Sequence, residues 1–152
     1  MKKDRASTEA DFAQRLQPLA RRWRMIADEA VAELGLSDAT GWVLLHVGRL
    51  GDGVGQTELA AALDINGPSL VRLIDQLEKA ELVARRVDKR DRRANCIDLT
   101  ASGRAITGRI EKALGAVRRE VFAGIDDDDL ASASRVLTLL DDRIAARRSA
   151  SR

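Results

Sequence analysis

The sequence predicts a mainly α-helical fold with one small β wing. Three observations predict it. Apolar residues recur at three- and four-residue steps over most of the 152 residues. Two short segments with β-branched residues flank a loop made only of charged residues. Aromatic residues make up 3% of the chain, while alanine, leucine, arginine and glutamate are abundant, a composition that favours helices.

The elements follow in order. Phe12, Leu16, Leu19, Trp23, Ile26 and Ala30 form the stripe of an amphipathic helix with the 3.5-residue mean of a helix–helix seam. Pro18 lies inside it and should kink the helix or mark its start. Gly35 ends it, and Ser37 caps a second helix from about Asp38 to Leu50 carrying Trp42, Val43, Leu45 and Val47. GDGVG, residues 51–55, reads as a turn, with Gly55 capping the short helix QTELAAALD. Asn66 caps the next helix, with Pro68 in its first turn and Leu70, Leu73, Ile74 and Leu77 on its buried face. LVARRV (82–87) and ANCIDL (94–99) form a hairpin around DKRDRR. Thr100 caps a helix with Ile106, Ile110, Leu114, Val117 and Val121 on one side, broken at Gly124. Asp126 caps the last helix, whose stripe runs Leu130, Ala133, Leu137, Leu140, Ile144 before a frayed RRSASR tail.

This order is a winged helix-turn-helix. Residues 1–50 supply a dimerisation helix and helix 2. Residues 51–100 form the winged lobe, the candidate for DNA binding by the charge and helix-face argument that follows, and 101–152 supply C-terminal helices that complete the dimerisation region. The seam-like periods at both ends predict terminal helices packed together from two chains. No apolar run approaches the roughly 18 residues of a membrane span, and MKKDRASTEADF has no apolar core of a secretory signal, so a cytoplasmic location is expected. The single cysteine forms no intrachain disulfide.

Net charge is only +2, so the chain is not a polycation that coats nucleic acid. The lobe from Gln56 to Leu99 holds eight basic and eight acidic residues. From Arg85 to Arg93, however, six basic residues face only Asp88 and Asp91. Such a tip can insert an arginine into the minor groove, where the potential is deepest. Arg92 or Arg93 is the candidate, Arg90 lies beside them, and Asp91 can orient a guanidinium. On the preceding helix, subtracting the core face leaves Pro68, Ser69, Val71, Arg72 and Gln76 outward. Arg72 is the leading base reader, because its fork can donate twice to guanine. Ser69 reaches a base or phosphate, and Val71 a thymine methyl. Solvated helix and turn residues are the plain alternative.

The span from Gly55 to Arg104 closely resembles the winged-helix core of the MarR (multiple-antibiotic-resistance regulator) family. Its most specific features are the D-x-R-D-R-R-A hairpin, Asp88 to Ala94, and the L-T-x-x-G helix start, Leu99 to Gly103. GPSLVRLIDQLE and TGWVLLH look most like its SlyA branch. The resemblance implies a homodimer with interlocked terminal helices, a pseudo-palindromic operator on double-stranded DNA, and repression. It also implies recognition through Ser69 and Arg72 and minor-groove contact through Arg92. One departure is Glu81, where the family usually has glycine; it predicts a different exit from the recognition helix.

Family members commonly answer to small phenolic or aromatic effectors. Trp42 and His46 share a helix face, and Trp23 is flanked by Arg21, Arg22 and Arg24, so an aromatic wall beside a cation could take an aromatic anion. Ordinary core packing of both tryptophans explains the same residues. Cys96 invites a redox-sensor alternative, but its alternation with Ala94 points it inward as a small buried hydrophobe. An enzyme is not expected. One His and one Cys on different elements make no triad, no glycine loop cradles phosphate, and no zinc spacing exists, so no cofactor or metal is expected. Asp126 to Asp129 read as cap and dipole partners rather than cation ligands. A winged module for protein contacts is the remaining rival, and the excess of wing arginines argues against it.

Overall fold

The computed structural model describes residues 4–88 and 95–150. It is mostly helical, as the sequence predicts, with an antiparallel sheet of three strands where the sequence predicts a two-stranded hairpin. The order is α1 (Arg5–Ala32), α2 (Asp38–Leu50), β1 (Val54–Gly55), α3 (Gln56–Leu63), α4 (Gly67–Lys79), β2 (Val83–Val87), β3 (Asn95–Leu99), α5 (Ala101–Val121) and α6 (Asp127–Ala150). No helix among the described residues is long and apolar enough to cross a membrane. The chain divides into two units, Met1–Val117 and Arg118–Arg152.

In the first unit, α2 is the centre of the core. Trp42, Val43, Leu44, Leu45 and Val47 are all buried there, against Leu59 of α3, Leu70, Ile74 and Leu77 of α4, and Ile110 and Leu114 of α5. Each such aliphatic side chain contributes about 1.5–3 kcal/mol by leaving water. Ser37 caps α2 by accepting from the Thr40 N–H at 3.3 Å. The close approach of α1 to α2 requires glycine at position 41, where a Cβ would collide with the Val31 side chain.

Proline at position 18 neither starts nor ends α1, which runs through it. Only Ala27 and Val31 of α1 are buried. Phe12 and Leu19 of the predicted stripe are exposed, and Leu16, Trp23, Ile26 and Ala30 are half-buried.

Residues 51–55 are more than a turn. Gly51 and Gly53 adopt positive φ, and Val54–Gly55 then pair with Ile97 and Cys96 as β1. Two residues carry no alternation, so this strand leaves no signature in the sequence. Strand β3 is therefore central, flanked by β1 and β2, with Val83 opposite Leu99 and Val87 opposite Asn95.

The second unit contains the end of α5, a turn at Gly124 (φ +78°) and α6. The Asp126 carboxylate accepts from the Asp128 N–H at 2.9 Å, as expected of a cap. Residues 147–150 of the RRSASR tail are helical, and its last two residues lie outside the described ones. Along α6, Leu130, Leu137 and Ile144 are exposed and Leu140 is half-buried.

The exit from α4 corrects the expectation attached to Glu81. Glu81 takes the left-handed conformation itself, at φ +57°. The Glu81 N–H donates to Glu78 O and the Leu82 N–H to Leu77 O, both at 2.9 Å. That is the Schellman closure a glycine would make, with Leu77 and Leu82 buried beside it. The path is unchanged; only its cost differs, because a side chain is unfavourable at this φ. Glu81→Gly is expected to stabilise the protein by about 1 kcal/mol, raising Tm by roughly 2–4 °C. Thermal unfolding followed by circular dichroism checks it, and a lower Tm would show that the side chain contributes something the closure does not.

Candidate nucleic-acid interface

Helix α4 presents three distinct sides. Its N-cap is Asn66, whose Oδ1 accepts from the Ser69 N–H at 2.8 Å. Leu70, Ile74 and Leu77 are buried and hold the helix to the core. Ser69, Arg72 and Gln76 recur at the same helical spacing on another side. Arg72 and Gln76 are exposed, as is Pro68, while Ser69 is half-buried. Arg72 has no ion-pair partner among the described residues. Val71 is 41% exposed and lines a groove of about 230 Å³ between α3 and α4, together with Gln56, Thr57, Ala60, Gly67 and Leu70.

The third side of α4 escaped the sequence reading. Val71, Asp75 and Glu78 face strand β2, and Arg85 binds all three. Its Nη1 donates to Glu78 Oε2 at 2.5 Å, and its Nη2 to Asp75 Oδ1 at 2.5 Å and to the Val71 carbonyl at 3.4 Å. The Arg85 backbone N–H adds a bond to Glu78 Oε1 at 3.2 Å. Burial opposes the charge on Arg85, but the two carboxylates outweigh it and hold its pKa above the ordinary value. The signal was present as acidic residues at 75 and 78 on a helix followed by a strand arginine, although charge counting alone conceals it.

Neighbouring Arg86 turns to the opposite face of the sheet and pairs with Asp98. Two of the six basic residues from Arg85 to Arg93 are thus engaged within the lobe, so the positive charge assigned to the hairpin is not all available to a partner. Arg90, Asp91, Arg92 and Arg93 lie outside the described residues.

The L-T-x-x-G motif joins α4, the wing and α5. Thr100 Oγ1 donates to the Glu81 carbonyl at 2.7 Å and accepts from the Gly103 N–H at 3.0 Å, while the Thr100 N–H donates to Leu82 O at 3.1 Å. A Cβ at Gly103 would run into that same Leu82 carbonyl.

Of the four effector candidates, three come together. The Arg24 guanidinium lies 4.0 Å from the centroid of the Trp42 ring, an arrangement worth about 0.5–1 kcal/mol when exposed. Arg24 also pairs with Asp28 at 2.8 Å, and the Trp42 indole N–H donates to the same carboxylate. The His46 ring is 6.2 Å from that of Trp42, and its Nδ1 is 2.9 Å from the Trp42 carbonyl oxygen. Trp42 is buried and His46 half-buried. Trp23 is half-buried elsewhere on α1.

A recognition helix seated on a three-helix core and followed by a β-ribbon defines a winged helix-turn-helix protein. Residues 34–94 match the MarR family. The fold is similar to the transcriptional regulator PA3341, with 37% identity, TM-score 0.83 and coverage of 89% of this chain and 98% of that one. It is also similar to MepR from S. aureus, solved with DNA, at 21% identity and TM-score 0.71, covering 84% and 92% of the two chains. CouR from Rhodococcus jostii RHA1, bound to p-coumaroyl-CoA, shares 24% identity and TM-score 0.70 over 82% and 87%. The chain belongs to the MarR family of transcriptional regulators.

Cys96 is buried, though not in the main core. It shares the outer face of β3 with Asp98, opposite Arg86 on β2 and Gly55 on β1, rather than facing the core as its alternation with Ala94 suggests. Burial, then a hydrogen bond to Asp88, push its thiol pKa up, with Arg86 opposing. A raised pKa favours the protonated thiol in the fold. Any stability this contributes is complete below the unfolded thiol's pKa and disappears as pH rises through the folded value. Cys96 is therefore expected to resist mild peroxide and neutral-pH alkylation in the native protein and to react once urea unfolds it. Rapid sulfenic acid formation in the native state, seen by mass spectrometry, would contradict this.

Proposed function

We propose that this protein is a homodimeric, sequence-specific repressor that binds a pseudo-palindromic operator in the cytoplasm and is released by a small aromatic or phenolic ligand. The observation that carries the reading is α4: its apolar side is locked into the core while Arg72 and Gln76 stand exposed on another side. A helix held in this way can enter the major groove with its N-terminal residues at base edges. Pro68, Ser69, Val71, Arg72 and Gln76 form this reading surface. Arg90, Arg92 and Arg93 supply the minor-groove arm, with Asp91 orienting it. MepR, whose fold is similar, was solved on DNA. Within the family, GPSLVRLIDQLE and TGWVLLH support a reading of the chain as SlyA-like. It has no catalytic role in this reading and takes neither cofactor nor metal.

Residues 1–50 and 101–152 form the dimerisation region around a lobe at 51–100. The support is the uncovered apolar surface: Phe12 and Leu19 on α1, and Leu130, Leu137 and Ile144 on α6, are exposed in the single chain. Covering such stripes with a second copy is the ordinary outcome for seam-like helices. CouR, with a similar fold, was solved with an aromatic acyl-CoA. Here Arg24, Trp42 and His46, with Trp23 on the same helix as Arg24, form the candidate effector wall. Because Asp28 already holds Arg24, an incoming carboxylate must displace it.

DNA binding is expected to weaken steeply with salt, each neutralised phosphate adding about 0.9 to the log–log slope. Arg72→Ala should cost roughly 1–3 kcal/mol and relax base preference if the contact is bidentate. Arg92→Ala should weaken binding to all duplexes and reduce the salt slope by about 1. Fluorescence anisotropy against duplexes selected from a random pool measures these, and negligible affinity for every duplex at low salt would end the reading. Salicylate-like anions should weaken operator binding, and Arg24→Ala should abolish that response while leaving the ligand-free affinity unchanged. A titrated panel without effect removes the effector.

A further inference from the structure

We infer that Arg85 is a positioning residue for DNA recognition, locking the wing strand to one side of the recognition helix so that both meet a duplex in a single register. The inference rests on the DNA-binding reading above and adds a residue to it. Val71, Asp75 and Glu78 lie on successive turns of α4, and one guanidinium engages all three. These positions span about 10 Å of helix axis, at 1.5 Å per residue. Such a grip opposes both sliding of β2 along α4 and rotation of α4 beneath it. A single ammonium could not reproduce it, because only the planar fork presents donors in fixed divergent directions.

Two arguments assign the grip to recognition rather than to stability. The sheet is already attached to the lobe by Leu82, Val83, Ile97 and Leu99, all buried. Ion pairs with partly exposed carboxylates add little to such a core, and the Asp75 and Glu78 side chains are 57% and 40% exposed. The second argument is electrostatic. Asp75 and Glu78 place negative charge beside the surface that would approach phosphates, where it opposes non-specific attraction. A surface selected for affinity alone would omit them. Carboxylates that hold an arginine in place trade general attraction for a fixed geometry, and geometry is what discrimination between sequences requires.

The test compares two affinities: for the duplex the unaltered protein selects from a random pool, and for a random-sequence duplex of equal length. Glu78→Gln removes a negative charge and one of the two oxygens that Arg85 engages on Glu78, replacing it with an NH2 donor. Electrostatics alone would then tighten binding to both duplexes equally. Positioning instead predicts that affinity for the random duplex holds or rises while the ratio of the two falls by about tenfold, comparable with the loss from one mismatched base pair. Arg85→Lys keeps the charge, so the salt slope should stay unchanged while the ratio falls similarly. Should the lysine variant lose its helical circular dichroism, Glu78→Gln decides alone. Wild-type ratios in both folded variants would overturn the positioning role and leave DNA binding intact. Failure of the unaltered protein to select any duplex would overturn both.

Discussion

The rotational setting of α4 is the constraint on which the rest of the lobe depends. Leu70, Ile74 and Leu77 are at most 2% exposed, and once they are seated the direction of every other side chain on the helix follows from 100° per residue. A turn of the helix by one position would carry Asp75 and Glu78 toward the core. Burying even one carboxylate costs several kcal/mol, so this alternative is closed by the sequence itself. The exposed row of Ser69, Arg72 and Gln76 is thus a consequence of the apolar row. The fold aims the candidate reading surface by what it hides.

That setting is passed on through a small backbone junction. Glu81 and Leu82 close the end of α4, and the Leu82 carbonyl receives the first N–H past the wing, that of Thr100. The Thr100 hydroxyl then bonds the Glu81 carbonyl while capping α5 through Gly103. Helix α4, the β-ribbon and α5 therefore meet within a few residues, with Gly103 required because the Leu82 carbonyl leaves no room for a Cβ. Moving any one of the three would break backbone bonds that the other two share. Packed, hydrogen-bonded junctions of this type shift between discrete arrangements rather than deforming smoothly. A change in the course of α5 would accordingly reach the recognition helix and wing together.

Much of this was legible in the sequence. The helices follow apolar periodicity, and Ser37, Asn66, Thr100 and Asp126 announce helix starts because each has a short oxygen-bearing side chain that can satisfy a free N–H. What the sequence concealed falls into two physical classes. Strand β1 was invisible because two residues have no period, and its existence depends on pairing with a strand over 40 positions away. The Arg85 grip was invisible because a charge count cannot tell a solvated arginine from one neutralised by carboxylates on another element. Glu81 illustrates a third case. Its identity suggested a different path, but the closure of α4 by buried Leu77 and Leu82 overrode the preference of one residue for negative φ.

Charge placement completes the argument. A net charge of +2 leaves the chain little long-range attraction for nucleic acid. Within the lobe, Arg85 and Arg86 are answered by Asp75, Glu78 and Asp98, and Arg104 by Asp52 at 3.0 Å. Their charge is balanced locally, so a count of them overstates the positive charge open to phosphates. On the DNA-binding reading, affinity must then come from a few groups such as Arg72, which has no ion-pair partner among the described residues, set at defined angles by neutralised ones. Such a surface binds arbitrary DNA weakly, so a modest rearrangement of the lobe is enough to lower occupancy of a specific site. If a small ligand releases the protein as proposed, that balance serves it better than a strongly cationic face would.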